Sequence, residues 1–313
     1  MSLAGKTALV TGATGLIGAE VVTALEAAGC GVISAVRDPS RARGRAIFYD
    51  AERALDFDFA VDFVVHAASG AHPLAYARDP AGVMRQNVYG TMNLLDYARD
   101  MGARLLFLSS GEVYGLSPAP EAGFPEDFAG ILQTMDPRAC YPESKRCAEA
   151  MVASWKSQYG TDALVARLCH IYGPSISPAN SRADAQFLRD ALAGRDILMK
   201  SAGDQVRSFL YAKDAARAIL LLLERGEAGR AYNVAGRSVH SIREYAGTLA
   251  EVAGVKLKFE NPDDLEKAGY SKVRRAVLDP SLIESLGFRA EYGLERGLRE
   301  TYERCRGDRG ISG

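Results

Sequence analysis

The stretch Thr11-Gly12-Ala13-Thr14-Gly15-Leu16-Ile17-Gly18 constrains this chain more than any other, because of what stands on either side of it. Before it, residues 6–10 form a short apolar run rich in β-formers. After it, Ile17, Val21, Val22, Leu25 and Ala28 recur at helical spacing. The glycines therefore occupy a turn from strand into helix. There they permit a tight bend, close backbone approach to a pyrophosphate and close packing of helix on strand. Phosphates would rest on the open N–H groups and positive end of the helix. This context predicts dinucleotide binding by Gly12, Ala13, Thr14, Gly15, Leu16, Ile17 and Gly18. The plain alternative is a structural turn.

Up to about Ala166, apolar runs alternate with helical patterns, as in βαβ units that build a parallel sheet. Strands are predicted at 6–10, 32–36, 62–67, 104–109 and 163–168, and helices near 16–28, 82–101 and 141–159. Beyond Tyr172 the texture changes. A Pro/Ser/Asn loop at 173–181 precedes a helical stretch near 183–193, then short pieces at 197–200 and 207–211, a helix at 214–224 and a strand at 231–234. The expected fold is α/β, a Rossmann-type doubly wound parallel sheet over residues 1–170 that carries the catalytic residues. A smaller C-terminal α/β substrate-binding part covers 171–306, with segments returning to the first domain, and 307–313 reads as a disordered tail.

A second constellation, Tyr141-Pro142-Glu143-Ser144-Lys145, turns binding into chemistry. Tyr141 and Lys145 at i and i+4 share one helix face, and Pro142 suits a first turn. A phenol is a poor base at neutral pH. A neighbouring lysine cation and an oxidised nicotinamide ring favour its phenolate. The strand before Ser109 and Ser110 would deliver hydroxyls at its C-terminal end, where open α/β sheets bind ligands. Ser110 is read as the third catalytic member. Singly, each piece has a bland reading, a solvated helix face or a Ser-Ser turn.

The 313 residues carry a net charge of −1, so no global field draws in nucleic acid or an anionic membrane, and any anion site must be local. The five cysteines form no Cys-x-x-Cys pair. With no signal peptide visible, they read as reduced thiols of a cytoplasmic protein. The aliphatic run 220–223 is too short to span a bilayer, and the four histidines, among them His66, His72 and His240, show no ligand spacing, so no metal is expected.

A NAD-type strand usually ends in an acid that bonds the adenosine 2′-hydroxyl. Here Val36 stands in that place and Arg37 follows, with Arg41 and Arg43 beyond. An arginine could stack on adenine and meet a 2′-phosphate, which favours NADP over NAD. The alternative is a solvated Arg37 in a NAD enzyme whose acid is Asp38.

Taken together, the chain resembles the extended short-chain dehydrogenase/reductases, in their nucleotide-sugar epimerase/dehydratase branch, nearly end to end. Val64-Val65-His66-Ala67-Ala68 resembles the family's fourth strand, and Asn87-Val88-Tyr89-Gly90-Thr91 its Asn-x-x-Gly-Thr helix. Ile171-Tyr172-Gly173-Pro174, Arg207-Ser208-Phe209 and Tyr232-Asn233-Val234-Ala235-Gly236 resemble substrate-half signatures. Within the branch the chain is most similar to the UDP-glucuronate decarboxylase (UDP-xylose synthase) group. That likeness rests on Gly102-Ala103-Arg104-Leu105-Leu106 leading into Ser-Gly-Glu-Val-Tyr-Gly, on Pro137-Arg138-Ala139-Cys140-Tyr141, and on the short path from Asp50 to His66. The chain departs from that group, which usually has Thr at 110, Ser at 111 and Asn at 170.

The resemblance implies a tightly bound NAD(P) contacted also by Asp50 at the adenine amine, by Ala67, Ala68, Ser69, Asn87 and Ser109, and by Tyr141 and Lys145. It implies a nucleotide-sugar substrate held by Ser110, Glu112, Tyr141, His170 and Arg207, the last on the diphosphate. Glu112 would act beyond C4. The related 4,6-dehydratases carry an Asp-Glu pair where this chain has Gly111-Glu112, and simple 4-epimerases need no Glu there, so a reaction at C5 or C6 is favoured. Plainer roles remain open: Glu112 capping a turn, His170 packing, Arg207 in an ion pair, Asn87 as a helix N-cap. The expected activity is transient oxidation at C4 to a 4-keto sugar, followed by epimerisation, elimination or decarboxylation. An NADPH-dependent carbonyl reductase and an inactive nucleotide-binding partner protein are the alternatives. A homodimer through helices near 82–101 and 141–159 is implied as well, backed by Val83, Leu94, Leu95, Met151, Val152 and Trp155.

Overall fold

The computed structural model describes residues 2–53, 55, 57, 59–71, 73–117, 120–175, 180, 182–260 and 273–310. His72, much of the Pro/Ser/Asn loop and residues 311–313 lie outside that set.

Seven strands form one sheet: β1 (Thr7–Thr11), β2 (Gly31–Val36), β3 (Arg45–Phe48), β4 (Phe63–His66), β5 (Arg104–Ser110), β6 (Ala163–Leu168) and, from late in the chain, β10 (Ala231–Val234). Their order is β10-β6-β5-β4-β1-β2-β3, and every pairing is parallel. Central residues such as Leu9, Val10, Val64, Val65, Leu105 and Leu106 are fully buried, as a sheet covered on both faces requires. Helices α1 (Leu16–Ala27) and α6 (Ala212–Arg225) cover one face, α3 (Pro80–Met101) and α4 (Cys140–Tyr159) the other. The strand order reverses at β1, so a crevice opens between the C-terminal ends of β1 and β4, the place where such sheets take their ligands.

In the C-terminal part, β9 (Val206–Tyr211) pairs in parallel with β7 (His170–Tyr172) and β13 (Arg275–Ala276) and antiparallel with β11 (Val239–Ser241). A separate parallel pair joins β8 (Ile197–Met199) to β12 (Leu257–Phe259). This part has its own aromatic core, including Tyr172, Phe209, Tyr211 and Tyr245.

Several expectations need correction. β3 was absent from the sequence reading because its Arg-Ala-Ile-Phe edge shows no burial pattern, both ends being exposed. The helix before α3, α2 (Pro73–Arg78), was also missed, and α3 starts at Pro80 because Asp79 caps it by accepting from Gly82 N at 2.9 Å. The last helix, Leu294–Gly310, carries helical backbone through 307–310, where a disordered tail was expected. The apolar residues offered for a dimer mostly serve the monomer. Val83, Leu94, Leu95 and Val152 are buried in the core of their own chain, and Met151 and Trp155 pack against it. The large exposed apolar side chains on α3 and α4 are Met84, Tyr89 and Tyr159. Among the described residues, no helix is long and apolar enough to cross a membrane.

Candidate active site

The turn after β1 is built for close approach. Gly12 has φ +66°, and a Cβ there would stand 2.9 Å from the Ala68 backbone. A Cβ on Gly18 would stand 2.2 Å from the Gly12 carbonyl oxygen, so only glycine lets α1 sit this close to the strand end. Gly15 at the N-cap offers no side chain to the first-turn N–H groups, which are left for an anion. Thr11 ties the turn to the neighbouring strand, since its Oγ1 accepts from Ala68 N at 3.1 Å and lies 2.9 Å from His66 Nδ1.

Tyr141, in the first turn of α4, and Ser110, at the end of β5, come together, with the Ser110 hydroxyl facing the Tyr141 phenol and favouring its phenolate. Ser110 Oγ also accepts from Glu112 N at 3.2 Å and so caps the short 3-10 turn Gly111–Tyr114. That capping role therefore belongs to Ser110, not Glu112. Lys145, one helical turn beyond Tyr141, is buried. Its Nζ donates to the Leu108 carbonyl at 2.8 Å and lies 5.8 Å from the centroid of the Tyr141 ring. Burial pulls the Lys145 pKa down to about 7, opposed by the Glu149 carboxylate. Burial likewise raises the Tyr141 pKa, with Glu112 pushing the same way and Ser110, Arg182 and Arg138 opposing. Each group thus resists the charge that general-base catalysis asks of it, and the surrounding charges decide the balance.

Glu112 Oε2 pairs with Arg138 Nη2 at 2.9 Å. His170, at the start of β7, has its Nε2 3.9 Å from Asp184 Oδ2 and its ring edge-on to Phe209 at 5.1 Å. Burial, helped by Arg182 and Arg207, lowers its pKa to about 4, so near neutrality it is an uncharged imidazole. Arg207 is buried too. It is held by the Val206, Arg274 and Val273 carbonyls and Gln205 Oε1 rather than by the ion pair considered as an alternative. Burial lowers its pKa, while the negative charge of Glu112 raises it.

Around the crevice, Asn87 lies inside α3 and so is not an N-cap. It accepts from Ser69 Oγ at 2.8 Å and donates to Ser144 Oγ at 2.8 Å, linking the loop after β4 to α4. Ser109 is buried with its hydroxyl committed to Glu149 at 2.5 Å, so any dinucleotide contact from it would come from its main chain. Arg37 is exposed at the end of β2. Asp38, the nearby acid, accepts from Ser40 N and Oγ in the following turn. Asp50 accepts from Glu52 N at 3.1 Å and pairs with Arg53 at 3.4 Å.

Glu149 escaped the sequence reading although its spacing could have revealed it. It repeats the Tyr141, Lys145 interval and meets Arg167 at 2.7 Å. Tyr76 and Asp184 gave no such signal, because only tertiary folding brings them to Tyr141 and His170.

The sequence profile of the NAD dependent epimerase/dehydratase family matches residues 8–235. UDP-glucuronic acid decarboxylase 1 of Xenopus tropicalis is 31% identical over 246 residues, 77% of this chain and 56% of that protein. UDP-glucuronic acid decarboxylase 5 of Arabidopsis thaliana is 32% identical over 247 residues, 76% of this chain and 68% of that protein. The chain thus spans little more than half the length of the Xenopus relative. Among solved structures, the dTDP-glucose 4,6-dehydratase DesIV of Streptomyces venezuelae, solved with NAD bound, matches with a TM-score of 0.83 at 27% identity, covering 97% of this chain and 98% of that one.

Proposed function

Because the chain belongs to the NAD dependent epimerase/dehydratase family, we propose that it modifies a nucleotide sugar by transient oxidation at C4, in the manner of a UDP-glucuronate decarboxylase. The observation that carries this reading is the joining of Ser110, Tyr141 and buried Lys145, with the Glu112 carboxylate two residues from Ser110.

A dinucleotide fits this chain: the cradle at Gly12 and Gly18 has no room for a Cβ, and the first turn of α1 is uncapped by any side chain. Gly12 to Gly18 would hold its pyrophosphate, and Ala67, Ala68, Ser69, Asn87, Tyr141 and Lys145 its nicotinamide half. When bound, it supplies the acceptor and later the donor of a hydride. Tyr141 takes the proton of the sugar C4 hydroxyl, with Ser110 as the relay, while the Lys145 cation stabilises the phenolate that does so. The resulting 4-keto sugar is acidic at C5, and with a C6 carboxylate it is a β-keto acid that can lose carbon dioxide. Glu112 manages the proton at C5 or the group attached to it, and Arg207 and His170 hold the substrate. A 4,6-dehydration fits less well. Gly111 stands where a second acid would, and a Cβ there, 3.1 Å from Leu278 Cδ2, would need that flexible side chain to give by only a few tenths of an ångström, so it is the missing carboxylate and not a lack of room that counts against it.

One experiment tests both substrate and role. The enzyme is offered a panel of UDP-, GDP-, CDP- and dTDP-sugars, UDP-glucuronate included, with products read by mass spectrometry. On the substrate found, Glu112→Gln should still reduce the cofactor in a single turnover and accumulate a 4-keto sugar, while final product falls about 10²-fold. Loss of the first hydride transfer would place Glu112 in the oxidation step, and an unchanged product rate would make it structural. The exposed Arg37 favours a second reading, an NADPH-consuming carbonyl reductase, which net consumption of cofactor would reveal. The assembled Ser110, Tyr141 and Lys145 count against an inactive partner protein.

A further inference from the structure

We propose that Arg138 is a positioning residue that lets a carboxylate stand beside the phenolate base: it clamps Glu112 on one side and, stacked on Tyr76, braces the Tyr141 ring on the other.

Four contacts make a continuous chain. Arg138 sits in the 3-10 turn Pro137–Ala139, its backbone N–H donating to Asp136 Oδ1 at 2.9 Å, which sets where the side chain leaves the turn. Its Nη2 donates to Glu112 Oε2 at 2.9 Å. Its Cζ lies 4.5 Å from the centroid of the Tyr76 ring, a cation–π arrangement. Tyr76 in turn stacks on Tyr141, with centroids 4.9 Å apart and planes 24° from parallel. Both tyrosines are buried, whereas Arg138 and Glu112 are partly exposed. One guanidinium therefore reaches the acid by its edge and the aromatic pair by its face, which a lysine could not do with the same geometry.

The physical need is clear. If Tyr141 works as a phenolate and Glu112 as a carboxylate, two like charges share one site, and each makes the other harder to form. The titratable and charged groups facing Tyr141 are Tyr76 from α2, Glu112 from the turn after β5, Arg138 from the turn before α4, Arg182 from the loop before α5 (Ala183–Leu192), and Lys145 from its own helix; the Ser110 hydroxyl faces it as well and favours the phenolate. Glu112 opposes the phenolate, and Arg138 and Arg182 favour it. Arg138 is the cation bonded to the offending acid itself. Its pairing also restricts where the Glu112 carboxylate can point, which a group acting at C5 or C6 requires. This inference rests on Tyr141 being the base, as proposed above.

The test reads Tyr141 directly and needs no sugar substrate. The enzyme is labelled with ζ-13C tyrosine, saturated with NAD+, and titrated by NMR, the Tyr141 resonance being assigned with Tyr141→Phe. Arg138→Gln should move the Tyr141 midpoint up by about half to one unit, three- to tenfold less phenolate at a fixed pH on the acid side, given that the pair is partly exposed. Glu112→Gln should move it down. In the double variant Glu112→Gln/Arg138→Gln the rise should largely vanish, leaving the midpoint within about 0.3 unit of the Glu112→Gln value, since the charge that Arg138 holds is gone. An unmoved midpoint in Arg138→Gln would overturn the proposal, as would the same rise with and without Glu112. If Arg138→Gln alone does not fold, Glu112→Gln and the charge-neutral double variant still decide: a double variant whose midpoint rises about half a unit or more above that of Glu112→Gln refutes the clamp. Correct titrations with an unchanged product rate in Glu112→Gln would instead sink the catalytic role of Glu112 and leave the clamp standing.

Discussion

Glu149→Gln should loosen the fold and, at the same time, strip Lys145 of its charge at lower pH. Glu149 is nearly buried, accepts from Ser109 Oγ at 2.5 Å, and receives Arg167 Nε and Nη2 at 3.1 and 2.7 Å. The substitution keeps shape and one acceptor but leaves Arg167 without its salt-bridge partner. Breaking a fully buried pair costs about 3–5 kcal/mol; with some solvent access on both side chains and a remaining acceptor, about 2–3 kcal/mol is expected here. For a chain of this size that is a fall in Tm of about 4–6 °C. The Lys145 effect has a definite sign. Its folded pKa, about 7, lies below the value of about 10.4 for a free lysine, so its contribution to stability is present above the unfolded value and is lost as pH falls through the folded one. Glu149 holds the folded pKa up, so its loss moves that window, and the alkaline limit of the cation, to lower pH. Calorimetry at several pH values reads the first effect. The alkaline limb of the single-turnover rate reads the second, with a shift of about one unit expected. A Tm within about 1 °C of the parent together with an unmoved alkaline limb would refute Glu149 as the counter-charge of Lys145.

Tyr141→Phe should abolish cofactor reduction while dinucleotide affinity stays within about twofold, by stopped-flow absorbance and calorimetry; near-normal turnover would end the mechanism. NADP(H) should bind more tightly than NAD(H), and Arg37→Ala should narrow the difference, because the exposed Arg37 is free to meet a 2′-phosphate while Asp38 is engaged with Ser40. Equal or reversed affinities in the parent would retire that preference. The chain should sediment as a dimer at micromolar concentration through α3 and α4, and Tyr89→Glu on their exposed apolar surface should shift it towards monomer.

Most elements up to β6 were written locally. Apolar runs, a 3.6-residue repeat and a glycine turn each depend on neighbours in sequence, so the parallel sheet and the Gly12 cradle could be read from the sequence, while the edge strand β3 and the short helix α2 could not. The Tyr141 and Lys145 pair was legible for the same reason, since four residues on one helix must share a face. What could not be read was which distant groups would surround them. Leu94, Leu95 and Val152 of α3 and α4 showed a helical stripe but not which body it packs against, and in the structure that body is their own sheet, while Val83 packs with Tyr76, Cys140 and Tyr141. Tyr76, Arg138 and Glu112 are far apart in the chain and carry no mutual spacing, yet they gather beside Tyr141 because α2 packs against the turn at 137–139, which reaches Glu112 in the turn after β5. The roles of Ser109 and Ser110 also split only in three dimensions, one hydroxyl joining Glu149 and the other Tyr141. The sequence determined the scaffold and the reactive side chains. Tertiary structure alone decided their charge environment, because electrostatic interactions depend on distance and burial and not on separation along the chain.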